Sequence, residues 1–307
     1  MKNSQTVTYK TAAEAVAGLD LSTQTILITG CNSGLGFETM RVLASRGAFV
    51  VALARTRSSA QESLSRAGAR GLAVECDLSD LKSVATAIKT ILSMNRKLDA
   101  VVASAGIVGA KALAKKHGIE IQFLVNYLAH FALVNGLSRA IKDHTGRIVI
   151  VSSDASEKQA PKEGIRFDDL IGNKTYSPFV FYGQSKLACS LYAKELARRL
   201  ASRGIVVNSL HPGAVRGTEL NKNLAFPLNI LLKLASFFMK TVEEGATTQT
   251  YLAANPAVAS VTGQYFKNCQ VATGSRFLSD EAIALRLWAV SEELIQTVLG
   301  TESVAKE

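Results

Sequence analysis

The stretch at residues 25–36, TILITGCNSGLG, decides the fold. Its first five residues, Thr25–Thr29, are apolar or β-branched, which predicts a short buried strand. Gly30, Gly34 and Gly36 then form a glycine-rich turn that leads into a helix. Such a turn suits a nucleotide, because glycines let a pyrophosphate approach the backbone and the helix start offers free N–H groups. The spacing, GxxxGxG, is neither the GxGxxG fingerprint nor a Walker loop.

Short apolar runs alternate with helical patterns along the rest of the chain. Strands are also predicted at residues 48–53, 71–75, 98–103, 147–152, 205–209 and 264–266. Helices are predicted at residues 37–46, ended by Gly47, and at 60–67, 79–94 with Ser79 as its cap, 119–142 and 181–203. Most strands are continuously apolar, as in a parallel sheet that helices cover on both faces. The fold class is therefore α/β, a doubly wound Rossmann-type parallel sheet in a single domain over residues 1–307, of which residues 1–20 are an N-terminal lead-in.

Composition and charge narrow the function classes. The chain has 307 residues, of which 48% are hydrophobic and 20% charged, so it can bury a large core. A net charge of +10 suits an anionic ligand, an acidic membrane surface or nucleic acid, or serves solubility alone. Lys and Arg are scattered in short groups, so no nucleic-acid partner is expected.

No metal site or disulfide framework is expected. The four cysteines lack CxxC spacing, and the four histidines show no metal-ligand pattern: Cys31, Cys76, Cys189 and Cys269; His117, His130, His144 and His211. The N-terminus lacks the apolar segment of a signal peptide, and no uncharged apolar run reaches transmembrane length. A reduced, cytoplasmic setting is expected.

A second stretch, Tyr182-Gly-Gln-Ser-Lys186, lies at the start of the helix predicted at residues 181–203. Its tyrosine and lysine are four residues apart, so both side chains share one helix face. An ammonium group there would favour the phenolate and make the phenol useful in proton transfer at neutral pH. The alternative is an ordinary amphipathic pair.

Together, TGCNSGLG and YGQSK resemble the short-chain dehydrogenase/reductase family. The resemblance covers about residues 21–300 and is greatest to the retinol-dehydrogenase-like branch, which includes the oxidoreductase part of the WW-domain oxidoreductases. The stretches GLDLSTQTILITGCNSGLG, LHPGAVRGTEL, GQYFKNC and RLWAVSEELI carry that likeness. No stretch resembles a WW domain.

The resemblance implies a catalytic set. Tyr182 would exchange a proton with the substrate oxygen, and Lys186 would hold the nicotinamide ribose. Ser153, with Ser152 as the neighbouring alternative, would hydrogen-bond the substrate oxygen. Asn126 would position a water in the proton relay, or it is a polar residue that bonds within a buried helix.

The resemblance also implies a nicotinamide cofactor. An arginine rather than an acidic residue follows the second strand, so Arg55, assisted by Arg57, favours NADP, unless it is only a solvated loop residue. The family's usual Asn-Asn-Ala-Gly is here Ala103-Ser-Ala-Gly106, a departure that loses the amide geometry. The expected cofactor-binding residues are Gly30, Asn32, Ser33, Gly34, Leu35, Gly36, Arg55, Asp77, Leu78, Ser104, Ala105, Gly106, Tyr182, Lys186, Pro212, Gly213, Val215 and Thr218.

The substrate end is expected in two segments. Residues 219–242 have an apolar stripe opposite a cationic polar stripe, which indicates a lid over an apolar site, contact with a membrane surface, or plain packing on the domain. Residues 157–178 form an insertion that would make another wall of the pocket. A lid favours a lipophilic alcohol, aldehyde or ketone.

The leading hypothesis is therefore an NADP-dependent oxidoreductase that interconverts a lipophilic carbonyl and its alcohol. The alternatives are a ketoreductase for a polyketide-like or aromatic metabolite, reduction of a carbon–carbon double bond as in a related branch, a non-catalytic NADPH-binding regulator, and a membrane-surface binding protein. Many family members form homodimers through the two long helices, here at 119–142 and 181–203, although relatives in this branch do so less consistently.

Overall fold

The apolar runs of the sequence lie side by side in one sheet. The structure, a computed structural model, describes residues 8–109, 112–216 and 239–300. The strands within these residues are β1 (Thr25–Thr29), β2 (Phe49–Ala54), β3 (Gly71–Glu75), β4 (Ala100–Ala103), β5 (Lys115–Lys116), β6 (Ile119–Glu120), β7 (Arg147–Val151), β8 (Val206–His211), β9 (Tyr265–Lys267) and β10 (Gln270–Val271). In this part of the chain, eight of them form a sheet in the order β10-β9-β8-β7-β4-β1-β2-β3, and β5 pairs with β6.

Helices cover both faces of the sheet. They are α1 (Ala12–Ala15), α2 (Gly34–Ser45), α3 (Arg57–Arg66), α4 (Leu81–Leu92), α5 (Ile121–Phe123), α6 (Ala129–Gly136), α7 (Ala155–Lys158), α8 (Pro178–Arg199), α9 (Val242–Gly245), α10 (Thr247–Ala254) and α11 (Glu281–Leu299). One core cluster joins the sheet to α4, α6, α8 and α11, and the other joins it to α1, α2 and α10. Burial on both faces explains why the strands are continuously apolar.

The order of the strands reverses between β1 and β4. β1 pairs in parallel with β2 on one side and with β4 on the other, so Leu27 lies between Val51 and Val101. In open parallel sheets, ligands bind outside the carboxyl ends of the strands at such a switch point. The glycine turn after β1 and the segment after β4 both lie at this edge.

The fold class is confirmed: the sheet is doubly wound and parallel except for the antiparallel β9–β10 pair. The strands predicted at 25–29 and 71–75 have those bounds, and the others differ by one to two residues at their ends. The first major helix begins at Gly34 rather than at residue 37, so it includes the last two glycines of the turn, Gly34 and Gly36.

Three further helix predictions were wrong in detail. Asp80, not Ser79, caps α4, since its side chain accepts the N–H of Lys82. The helix predicted at 119–142 begins at Ile121, contains a π-helical segment (Leu124–Leu128) and ends its α-helical part at Gly136. Similarly, the helix predicted at 181–203 is Pro178–Arg199, followed by a 3-10 turn, Ala201–Arg203.

The C-terminal part contains elements that the sequence analysis did not predict. β10 adds an antiparallel edge strand, and α11 packs across α4 and α8. No helix in the described ranges is long and apolar enough to cross a membrane. Most of the segment predicted to form a lid, residues 219–238, lies outside the described residues.

Candidate active site

The glycine turn is shaped by glycines that no other residue could replace. Gly30 has a φ of +69°, and a Cβ there would stand 2.9 Å from the Cα of Ala105. A Cβ on Gly36 would collide with the carbonyl of Gly30. Ser33 is the N-cap of α2, and its side chain makes no capping hydrogen bond. A tight glycine turn ahead of a helix N-terminus fits the pyrophosphate of a dinucleotide. Asn32 and Leu35 lie in the same turn and first helical residues.

Thr29, the last residue of β1, ties this turn to the segment after β4. Its Oγ1 accepts the N–H groups of Ser104 (3.0 Å) and Ala105 (3.1 Å) and lies 2.9 Å from His130 Nε2. Since the oxygen accepts twice, its proton goes to the imidazole. His130 Nδ1 then donates to the carbonyl of Asn126 at 3.0 Å. A continuous hydrogen-bonded path therefore joins the glycine turn to Asn126.

Burial keeps this imidazole neutral. His130 is 2% exposed, and burial, together with the charge of Lys186, lowers its pKa to about 4. A neutral ring carries one proton, so it donates at Nδ1 and accepts at Nε2, as the path requires.

Gln249 places its side-chain amide beside Ala103-Ser-Ala-Gly106, the segment that departs from the family pattern. Ser104 Oγ donates to Gln249 Oε1 at 3.2 Å. The Gln249 amide nitrogen donates to the carbonyl of Leu35 (3.0 Å) and to Thr39 Oγ1 (2.5 Å) on α2. Ser104 is thus linked through α10 to the helix of the glycine turn.

Arginines, and no carboxylate, follow β2, where the resemblance places the adenosine ribose of the cofactor. Arg55 follows β2 and is exposed, and Arg57 begins α3. Arg66 also reaches this end, where its guanidinium donates to the carbonyl of Asn32 (3.4 Å) and stacks 4.5 Å from the Phe37 ring centre. This cationic edge suits a 2′-phosphate.

The residues after β3 are also at this edge. Leu78 is buried, and Asp77 accepts the N–H of Ser79 at 2.9 Å. Lys116 lies 3.8 Å from both Asp77 and Asp80, so the carboxylates here are partly neutralised.

Asn126 sits in the π-helical segment, a feature frequent at functional sites. Its side chain accepts the N–H of Ile107 (2.7 Å) and donates to the Ile107 carbonyl and to Ser185 Oγ, both at 2.9 Å. One turn earlier, Gln122 accepts the N–H of Gly109 at 2.9 Å. These two amides hold the backbone that follows β4, and the role of Asn126 in positioning a water of the proton relay stays a prediction.

Tyr182 and Lys186 lie on one face of α8. The Lys186 ammonium is 5.9 Å from the Tyr182 ring centre and donates to the carbonyl of Val151 at 2.9 Å. It also lies 3.4 Å from the position that a Cβ on Gly106 would occupy, so Gly106 leaves the room that it needs. Lys186 is 4% exposed, whereas Tyr182 is half-buried.

The two serines after β7 have different surroundings. Ser152 is buried, donates to the carbonyl of Lys186 (2.7 Å) and accepts from Ser190 Oγ (2.7 Å), so it joins the sheet to α8. Ser153 is half-buried, and its Oγ accepts the N–H of Ala155 at 3.2 Å. This difference favours Ser153 as the residue that meets a substrate.

The turn after β8 closes the described part of the site. Pro212 and Gly213 are half-buried, and Gly213 has a φ of +97° with Lys240 packed against it. Val215 is buried and forms a bridge with Lys240. Thr218 lies outside the described residues.

No cluster of metal-binding side chains occurs in the described ranges. Sequence reasoning missed several residues that organise the site: Thr29, Arg66, Gln122, His130, Asp154, His211 and Gln249. Only Thr29 carried a sequence signal, because it ends a predicted strand at the ligand-binding edge; His211 lies two residues beyond the strand predicted at 205–209 and ends β8 in the structure.

Comparison with known proteins agrees with this geometry. The family model for short chain dehydrogenases matches residues 24–165 and 170–227. The chain is 38% identical over 294 residues to retinol dehydrogenase 14 of Homo sapiens, covering 89% of this chain and 86% of the relative. It is 36% identical over 301 residues to the chloroplastic short-chain dehydrogenase TIC 32 B of Brassica napus, covering 94% and 93%. The resemblance to the retinol-dehydrogenase-like branch is thereby confirmed.

One solved structure that resembles this chain contains a bound cofactor. The angucycline C-6 ketoreductase LanV with bound NADP superposes with a TM-score of 0.62 at 26% identity, covering 81% of this chain and 95% of that one. The family model and the curated relatives together span nearly the whole chain. The chain is a member of the short-chain dehydrogenase/reductase family of oxidoreductases.

Proposed function

We propose that this enzyme uses NADP(H) to interconvert a lipophilic aldehyde or ketone and its alcohol, with Tyr182 as the general acid and base. The observation that carries the proposal is the convergence of Tyr182, Lys186, Ser153 and Asn126 at the edge of the sheet where the glycine turn lies. Lys186 contacts the β7 end, and Asn126 bonds to Ser185 between the tyrosine and the lysine.

The roles follow from these positions. When bound, the nicotinamide supplies or accepts the hydride. Ser153 Oγ donates to the substrate oxygen and stabilises the charge that develops there. Tyr182 gives its phenolic proton to that oxygen during reduction and removes it during oxidation. Lys186, held by the Val151 carbonyl, keeps a positive charge near the phenolate.

Support for NADP rather than NAD comes from Arg55, Arg57 and Arg66 at the adenosine end. An arginine there would make charge-assisted hydrogen bonds to a 2′-phosphate. The ketoreductase with bound NADP that resembles this chain is consistent with that choice. An Arg55→Asp variant should reverse the preference, because a carboxylate repels the phosphate and accepts from the ribose hydroxyl.

Support for a lipophilic substrate is the apolar stripe of residues 219–242 and the likeness to a retinol dehydrogenase. The likeness to LanV favours a second candidate, an aromatic polyketide-type ketone. Both substrate classes therefore belong in the same panel.

The test measures oxidation of NADPH and of NADH with a panel of lipophilic aldehydes, ketones and aromatic polyketide-type ketones. We expect turnover with NADPH that Tyr182→Phe and Ser153→Ala each reduce by roughly 100-fold or more. Ser152→Ala is the matched serine variant. Equal activity in wild type and Tyr182→Phe would refute the proposed mechanism, and a preference for NADH would refute the cofactor assignment.

A further inference from the structure

A second polar cluster lies directly beside Ser153. Asp154, the next residue, faces the ends of two neighbouring strands, β8 and β9. His211 ends β8 and pairs in register with Lys267, which ends β9. Tyr265, two residues earlier on β9, completes the cluster.

The Asp154 carboxylate is held by groups from both strands. Its Oδ1 lies 2.8 Å from Lys267 Nζ and accepts the Tyr265 hydroxyl at 3.2 Å. Its Oδ2 lies 3.8 Å from His211 Nε2. Burial alone would raise the pKa of Asp154, but Lys267 and the other partners hold it below its ordinary value. The group is therefore a carboxylate at neutral pH.

The imidazole of His211 binds the backbone of the same loop. Its Nδ1 accepts the N–H of Asp154 at 3.3 Å, while Ser153 Oγ accepts the next N–H, that of Ala155, at 3.2 Å. An accepting Nδ1 carries no proton, so the ring proton is on Nε2 and points toward the carboxylate. Two consecutive peptide groups after Ser153 are thus fixed, one by the imidazole and one by the serine itself.

We propose that His211 is a positioning residue for Ser153, and that the enzyme works only while this imidazole is neutral. A protonated ring would present an N–H at Nδ1 to the N–H of Asp154, and the two donors would repel each other. The loop would then move, and the serine hydroxyl would leave its place. The inference rests on the proposed role of Ser153 in catalysis.

The charges around His211 set the direction of its titration. Burial lowers its pKa below the ordinary value, the ammonium groups of Lys267, Lys240 and Lys158 lower it further, and only Asp154 opposes them. The folded enzyme therefore keeps a neutral imidazole at neutral pH and binds the proton below 6.5. Activity should fall on the acid side of that value.

Two substitutions of His211 separate positioning from mere packing. Asn places an amide oxygen close to the position of Nδ1 but cannot titrate, so His211→Asn should keep most of the turnover and lose the acid limb. Leu offers no acceptor, so His211→Leu should lose roughly 10- to 100-fold in kcat at every pH, with little change in the KM for NADPH. His117, which lies 3.3 Å from Asp80 away from this site, gives the matched control, His117→Asn.

Nuclear magnetic resonance of the histidine side-chain nitrogens supplies a readout that needs no substrate. At neutral pH, His211 should have an unprotonated Nδ1, and Asp154→Asn should lower its pKa, because the carboxylate is the group that raises it. A protonated Nδ1 in the neutral ring would overturn the proposal. So would an acid limb that persists in His211→Asn, or wild-type kcat in His211→Leu. Absence of turnover in wild type would instead refute the proposed function, whereas the tautomer would still report whether the loop is held as described.

Discussion

Replacement of Thr29 by valine should damage both the stability of the fold and the cofactor site. Valine has the same shape but lacks the hydroxyl that accepts from Ser104 and Ala105 and donates to His130. Thr29 is 1% exposed, so water cannot take the place of the hydroxyl. Three polar groups would lose a partner in a single substitution: the buried imidazole of His130 and the partly buried N–H groups of Ser104 and Ala105.

The size of the effect follows from those three groups. An unsatisfied buried donor or acceptor costs about 1–3 kcal/mol, and a partly buried one costs less, so Thr29→Val should lower the free energy of unfolding by about 2–4 kcal/mol. Thr29→Ser keeps the hydroxyl and removes only a methyl group, which should cost about 1 kcal/mol. The serine variant is therefore the matched control for the loss of packing.

Equilibrium unfolding in urea measures the first effect, and fluorescence titration with NADPH measures the second. Ser104 and Ala105 belong to the expected cofactor site, so Thr29→Val should also weaken NADPH binding by about tenfold, or 1.4 kcal/mol. If valine and serine had equal effects on both quantities, the hydroxyl would not be the link between the glycine turn and the segment after β4.

Three other predictions follow from single side chains. Gly36→Ala would push a methyl group against the Gly30 carbonyl, so it should abolish measurable NADPH binding in the same titration. The pKa of His130 falls from 6.5 to about 4 on folding, so the unfolded chain binds a proton first as the pH drops. The free energy of unfolding should therefore fall by about 3 kcal/mol between pH 6.5 and pH 4. In urea unfolding, His130→Gln should lack this pH-dependent loss. Trp288→Ala should cost about 3–5 kcal/mol in urea unfolding, whereas Leu285→Ala, at 45% exposure on the same helix, should cost less than about 0.5 kcal/mol; similar losses for the two would contradict the packing of α11.

The sequence was most informative where one local rule governs the structure. A run such as Thr25–Thr29, buried at all five positions, has no competing pattern, and the glycine turn that follows it is required by backbone geometry. The choice between Ser79 and Asp80 as a cap depended on orientation, because both residue types cap helices well. Neighbouring polar residues can be distinguished only when their surroundings are known.

The long helix around Asn126 shows a second limit. Its apolar pattern runs on through residues 119–142, but the Asn126 side chain bonds to Ile107 on another segment, and the helix contains a π-helical turn there. Contacts of this kind join residues that are far apart in the chain. The role of Gln249 could not be predicted for the same reason, because its amide connects Ser104 with α2 across the sheet edge.

Helix α11 could have been found from its periodicity. Its buried residues Leu287, Ser291 and Ile295 are four apart, as one helix face requires. The stretch was recognised only as a family likeness, and what this face covers became clear from the structure. Trp288 packs edge-on against Phe131, with ring centres 4.8 Å apart.

The packing of α11 limits the surfaces through which two copies of the chain could form a dimer. The resemblance implied pairing through the two long helices, yet α11 lies on their outer faces. Tyr127 hydrogen-bonds Ser291 at 2.7 Å, and the Arg199 guanidinium stacks 3.8 Å from the Trp288 ring centre. A second copy could reach those faces only after α11 left them, which would expose the rings of Trp288 and its partners to water at a cost of several kcal/mol. The C-terminal helix therefore already buries the surface that a partner would bury, and we expect any homodimer of this enzyme to form through a different face.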